Sequence, residues 1–336
     1  MLIGKTDILI PREGVDMPRW AVIACDQHTS EKEYWETLAN FVGDSPSTLR
    51  LMLPEVYLGE KDRTEEINAA MVSYLNSGIF REIKDSYIYV ERTLKSGKIR
   101  HGLVGALNLD EYDYTYGSVS PIRATEATVE GRLPPRVKIR KSAALEMPHV
   151  MVFCEKFPEI EKGELLYDFD LNMGGGHIKG WRCNADVSGI DRLAIGDGNH
   201  SLATAKKCGD REALVELVDI FDESIVFHPI HRVIFDTDTS FLPEKIMHFD
   251  DVKQCEAFCR DYVEKHGGYI DYIHGDDTAV QMGMQDNCAA ALLPAFKKEN
   301  LFDDVFNSGP YEKKSFSMGL SEEKRYYLEC RRINTV

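Results

Sequence analysis

Residues 191–209 read DRLAIGDGNHSLATAKKCG. Leu193 to Ile195 is a short apolar run suited to a buried strand. Gly196-Asp197-Gly198-Asn199 is a tight turn, and residues 200–208 read as a helix closed by Gly209. A strand, a glycine turn and a helix in that order make an anion site. The first N–H groups of the helix lack intrahelical acceptors, the dipole adds partial positive charge, and glycines let the backbone approach a phosphate. Gly196, Gly198 and Asn199 would then line the phosphate site. His200 and Ser201 can each add a hydrogen bond, while Asp197 can hold a metal ion or accept a proton from a substrate hydroxyl. The same residues also suit a plain turn with Asn199 as helix cap and His200 exposed. Neither a Walker A nor a Rossmann pattern is present.

Around this segment the chain mixes hairpins with helices. SYIYVERTL, the turn KSGK and IRHGLVGALNL predict one hairpin; LLYDFDLN, MGGG and HIKGWRC predict another. WAVIAC at residues 20–25 reads as a buried strand. The helix after it begins at Ser30 with Glu33 as its capping-box partner and ends at Gly43. A second helix spans residues 64–76. Residues 122–155 carry a locally basic stretch broken by Pro134-Pro135, residues 224–236 read as a strand, and residues 240–275 carry a helix. This mixture predicts an α+β fold with a mixed sheet rather than a purely doubly wound one.

Composition narrows the function. The 336 residues are 43% hydrophobic, enough for a sizeable core, and no apolar run approaches the ~20 residues of a membrane helix. With acids where a signal peptide needs an apolar stretch, MLIGKTDILIPREGVD predicts a cytoplasmic protein. Forty Lys and Arg against 56 Asp and Glu give a net charge of −16, which repels nucleic acid and anionic lipid. A local basic pocket can still bind a phosphorylated small molecule. Eight scattered cysteines with no CxxC pair suggest buried thiols rather than disulfides or zinc.

Other candidates lie elsewhere along the chain. Asp26 and His28 follow a buried strand and precede a helix, where ligand-binding groups collect; loop capping is the plain alternative. Glu126, between Arg123 and Thr128, can orient a substrate or a metal, or form a solvated ion pair. His228 and His231 fall on a strand, where residues three apart face opposite sides, so no metal site is assigned there. His231-Arg232 can bring a positive group to a phosphate. Cys25, beside Asp26 and His28, suits either a nucleophile or a cysteine ending a buried strand.

Gly196-Asp197-Gly198-Asn199-His200-Ser201 resembles the Asp-Gly-His-His-Arg segment of the domain-of-unknown-function 1015 family. Three further stretches agree in order. Arg123-Ala124-Thr125-Glu126-Ala127-Thr128 is similar to that family's Arg-x-His-Glu-x-Thr, residues 228–232 to its strand ending in His-Arg, and Lys314-Ser315-Phe316 to its C-terminal element. The resemblance implies a ParB/sulfiredoxin-like core, as in free-serine kinases, with nucleotide phosphates at the helix N-terminus. Asn199, Ser201 and Thr125 stand where the pattern has His, Arg and His, which removes a bidentate phosphate clamp.

The expected layout is an N-terminal α/β region at 1–119, a ParB-like core at 120–235 and a C-terminal α/β region at 236–336. The expected function is binding of a nucleotide or other phosphorylated small molecule, with Mg2+ if the kinase-like form holds, extending to phosphoryl transfer to a small hydroxyl compound. Asp197, His200 and Glu126 take the catalytic roles. Gly196, Gly198, Asn199, Ser201, Arg123, Arg232, Asp26 and His28 bind the ligand. The alternative is a non-catalytic metabolite-sensing or partner-binding protein.

Overall fold

The computed structural model describes residues 1–29, 31–128, 130–312 and 314–333. It divides into two compact units: residues 1–225 with 302–309 and 320–336, and residues 226–301 with 310–319. These units do not follow the three segments expected from the sequence. Ladder pairing explains the difference, because Phe80–Thr93 and Ile99–Asn108 pair with His177–Ala185 and Glu212–Asp219, which ties residues on both sides of 120 into one sheet.

That sheet has 11 strands. Its main path runs Ile160–Asp170, His177–Ala185, Phe80–Thr93, Ile99–Asn108, Glu212–Asp219, Met151–Cys154, Leu193–Asp197, Ile122–Ala124 and Tyr112–Asp113. The pairs are antiparallel from Ile160–Asp170 as far as Glu212–Asp219, and parallel pairs enter only beyond that strand. Leu193–Asp197 runs parallel to Ile122–Ala124 and antiparallel to Met151–Cys154. The α+β class with a mixed sheet, expected from the hairpins and helices, is what forms.

Period-2 alternation sorts side chains onto two faces. Tyr87, Tyr89, Leu103, Val152, Leu193 and Ile195 share one core with Leu202 and Ala205 of the helix Asn199–Cys208. Ile88, Val90 and Val104 share the other with Trp20, Trp35, Leu38 and Ile67. Helix Lys32–Val42 starts from Glu31, so the expected cap at Ser30 lies outside the described residues; helix Thr64–Asn76 spans the predicted residues. Pro134 and Pro135 do not break the basic stretch. They open a helix, Leu133–Arg140, as prolines at the first positions can, because the N–H they lack has no intrahelical acceptor there.

The second unit builds its own sheet from Ile246–His248, Ala289–Leu292, Phe227–Phe235, Tyr269–His274 and Phe316–Met318. Ile234, Ala289 and Ala291 pack with Cys255, Cys259 and Tyr262 of helix Val252–His266. Val233 and Ala290, one residue out of phase, pack with Ala279 of helix Asp276–Gly283.

Candidate functional site

Three side chains from separate segments converge in the first unit. Ligand atoms of Asp26, His149 and Asp197 all lie within 4.8 Å of one another. Asp197 ends its strand and stands opposite Met151 in the antiparallel ladder, which brings the residues just before Met151, His149 among them, close to it. Asp26 follows strand Val22–Ile23, which pairs with Tyr326–Tyr327. The Tyr327 hydroxyl donates to Cys25 Sγ at 3.1 Å, so its 2.7 Å contact with His149 Nδ1 has the imidazole as donor. That leaves Nε2 facing the carboxylates, 3.5 Å from Asp26 Oδ2.

Opposite charges hold this cluster together. Burial works against ionising Asp26, yet the His149 charge outweighs it, with a hydrogen bond from Gln27 and the charge of Lys324 adding, so its carboxyl lies well below the usual range. Burial also opposes a charged His149; Asp26 and then Asp197 overcome it and raise its pKa. Lys324 Nζ lies 3.4 Å from Asp197 Oδ2, and both side chains are mostly covered. The Cys25 thiol is pushed up to about 12, first by burial and then by Asp26. It is a neutral thiol, poorly suited to act as a nucleophile.

Polar atoms in the cluster are left without hydrogen bonds. His149 Nε2, Asp197 Oδ2 and Asn199 Oδ1 are buried and make none among the described residues. Buried polar atoms normally find hydrogen-bond partners, and here His149 Nε2 and Asp197 Oδ2 have only ion-pair contacts, at 3.5 Å to Asp26 and 3.4 Å to Lys324. The helix N-terminus adjoins the cluster. The cap residue is Gly198 at φ 80°, which brings no side chain to the first-turn N–H groups, and its own N–H donates to Asp197 Oδ1 at 2.8 Å.

The glycines have packing reasons as well. A Cβ on Gly196 would collide with the Phe153 ring, and one on Gly198 would meet Val150 in addition to the strained φ. Ser201 stands on the first helical turn. His200 and Glu126 are each engaged by neighbours. Thr125 donates to the Ile195 carbonyl at 2.5 Å, so Glu126 follows a residue anchored to strand Leu193–Asp197.

Three predicted ligand residues are occupied otherwise. Arg123 donates to the carbonyls of Ser120 and Phe306 at 2.9 and 2.8 Å and stacks on the Phe306 ring, so it caps the C-terminal end of helix Leu301–Ser308. His28 stacks on Tyr34 with ring centroids 3.7 Å apart and contacts Glu31 at 3.0 Å, serving the start of its helix. Arg232 belongs to the second unit. Fully buried there, it bonds Glu256 at 3.0 Å and the carbonyls of Ile230 and Lys314, as a buried guanidinium must.

Asp197, read from the sequence as able to hold a metal ion, lies in this cluster, whereas the sequence pattern does not single out His149, Lys324 or Tyr327. Pro148-His149 before the run VMVFC was a detectable signal, but its meaning depends on strand pairing. Among the described residues no helix is long and apolar enough to cross a membrane.

Comparison with solved structures gives distant likenesses. A free serine kinase in complex with AMP is 12% identical with a TM-score of 0.40, covering 65% of this chain and 92% of that one. A conserved hypothetical protein from Pyrococcus furiosus is 12% identical with a TM-score of 0.36, covering 64% and 94%. SbnI from Staphylococcus aureus, truncated at its C-terminus, is 10% identical with a TM-score of 0.39, covering 65% and 83%. No curated protein matches. The sequence pattern described as "Protein of unknown function (DUF1015)" matches residues 9–336, and the chain belongs to that family.

Proposed function

We propose that this protein binds a phosphorylated small molecule, in the first instance a nucleotide with Mg2+, at the first turn of helix Asn199–Cys208, and transfers a phosphoryl group to a small hydroxyl compound. One observation carries the reading: Asp26, His149 and Asp197 converge from three segments beside an uncapped helix N-terminus, with buried atoms left without hydrogen bonds.

The roles follow from charge and position. First-turn N–H groups, Ser201 and His200 hold phosphate oxygens, and Gly198 allows the approach. Asp26 and Asp197 suit a divalent cation, which would supply charge neutralisation on the phosphates. His149, its pKa raised by Asp26 and Asp197, and the Lys324 side chain stand where charge accumulates on a transferring phosphoryl group. The acceptor oxygen forms the new bond to phosphorus, the bridging bond to the nucleoside diphosphate breaks, and the acceptor proton passes to a carboxylate. Glu126 and Asp197 are the candidates for that proton. Glu126 lies two residues past Ala124 and Asp197 two past Ile195, its partner in the parallel register.

Binding without turnover is the second reading, favoured by Ser201 and Asn199 standing where an arginine clamp and a histidine are expected. A thermal-shift screen with ATP, ADP, CTP, GTP, phosphate and pyrophosphate, with and without Mg2+, tests binding. A ligand at ~100 times its Kd adds about 2.7 kcal/mol, a shift of a few degrees. The shift should vanish in the His200→Ala/Asp197→Ala double variant. An undiminished shift there refutes the site, and a shift without turnover of the triphosphate selects the second reading.

A further inference from the structure

A mostly apolar cavity of about 140 Å3 opens beside the cluster. Cys25, Ser201, Thr204 and Tyr327 supply uncharged polar groups to its lining, the last in contact with Cys25 at 3.1 Å and with His149 at 2.7 Å. Its body is walled by apolar side chains, among them Met52, Ala143 and Leu145. Two arginines also reach the wall, yet both are neutralised from within the protein. Arg136 pairs with Glu55, and Arg140 pairs with Glu146 and Asp210 at 2.6 Å each. A charged group lodged here would have to break an internal ion pair, so the lining selects an uncharged body.

We infer that this cavity is the acceptor pocket and that the acceptor is an uncharged aliphatic or aromatic alcohol. Its hydrophobic body, about six non-hydrogen atoms, fills the cavity. The size follows by comparison with an apolar cavity of about 150 Å3 that holds benzene. The hydroxyl sits at the Cys25–Tyr327 end, next to Asp26 in sequence and joined to His149 by the Tyr327 hydroxyl. Cys25 contributes a thiol to the lining, and Ser201, on the first turn of helix Asn199–Cys208, joins the pocket to the phosphate-binding turn. This assignment rests on the phosphoryl-transfer reading above and names its substrate class. Transfer would give the phosphate monoester of the alcohol and the nucleoside diphosphate, with the hydroxyl proton moving to a carboxylate.

The test is calorimetric titration of the full chain with benzyl alcohol, 3-methylbutanol, ethanol and glycerol, each in the presence of Mg2+ and a non-hydrolysable ATP analogue, whose own binding is measured in parallel. Benzyl alcohol and 3-methylbutanol should bind at least tenfold more tightly than ethanol or glycerol, affinity rising about fourfold per buried methylene. Ala143→Leu fills the cavity, and Leu58→Asp puts a charge at its wall from a position 40% exposed, where folding is little affected. Both should weaken benzyl alcohol at least tenfold and leave the analogue's affinity unchanged. Equal affinity for glycerol and benzyl alcohol, or unaltered benzyl alcohol binding in both variants, overturns the pocket assignment while the nucleotide reading stands. Variant-sensitive benzyl alcohol binding in a protein that does not bind the analogue overturns the acceptor role and the nucleotide reading together, leaving only an alcohol-binding cavity.

Discussion

Two of the clusters of buried charge among the described residues of the first unit are finished differently. In one, Arg325 donates to Glu216 and to Glu329 at 2.7 Å, Tyr167 donates to Glu329 at 2.6 Å, and Arg92 donates to the carbonyls of Gly175 at 2.9 Å and Lys324 at 2.5 Å. Arg100 adds a bond to the Glu323 carbonyl at 2.7 Å, and its Nε is the one atom of this network left without a partner among the described residues. In the other, Asp26, His149, Asp197 and Lys324 approach one another, yet His149 Nε2 and Asp197 Oδ2 make no hydrogen bond. A nearly saturated network specifies structure; an unsaturated one beside a helix N-terminus reserves bonds for something else. The first also serves the second, because Arg92 and Arg100 grip the backbone of residues 322–324 and so set where Lys324 points.

Substitutions should separate the two clusters. The largest loss is expected for Arg325→Met, which strands Glu216 and Glu329 in the interior and should cost about 3–5 kcal/mol in urea unfolding. Asp197→Asn should cost much less, and equal losses would erase the contrast. Gly196→Ala drives a methyl group into the Phe153 ring and should destabilise by about 1–3 kcal/mol, measured the same way.

A smaller effect is expected in pH dependence. His149 has a raised pKa in the folded state, so its stabilisation is full below its ordinary value of about 6.5 and is lost as pH rises through the raised value. Asp26 has a depressed pKa, so its stabilisation is present above its ordinary value and is lost as pH falls through the depressed one. Unfolding midpoints of wild type should therefore decline above neutrality more steeply than those of Asp26→Asn. Parallel curves would mean that the pair is not coupled. The smallest change is expected for Arg123→Lys, which loses part of the cap on Val305 and Phe306 at a cost of about 0.5–1.5 kcal/mol. Nucleotide-induced thermal shifts should be the same as in wild type.

Local pattern carried much of the fold. Alternation around the turns at Leu94–Lys98 and Asn172–Gly176 was enough for both hairpins, and periodicity with end signals was enough for helices Thr64–Asn76 and Asn199–Cys208. What stayed hidden depends on partners distant in sequence. The division into two units follows from ladders joining residues near 90, 180 and 215. Within the site, Asp26 and Asp197 were readable because each follows a buried strand. His149 was not, since its place comes from the antiparallel register of Met151 against Asp197. Arg123 and Arg232 look like phosphate ligands by residue type, but carbonyls and a carboxylate near them in space take donors of both, leaving Arg232 Nη2 without a hydrogen bond among the described residues.

The most direct test of the ligand site is a calorimetric titration of ATP with Mg2+ into wild type and into the Asp26→Asn/Asp197→Asn variant. Saturable one-to-one binding to wild type is expected, with at least a tenfold weaker Kd in the variant and the variant's melting temperature at or near that of wild type. Equal affinity in both proteins would mean that Asp26 and Asp197 hold no part of the ligand.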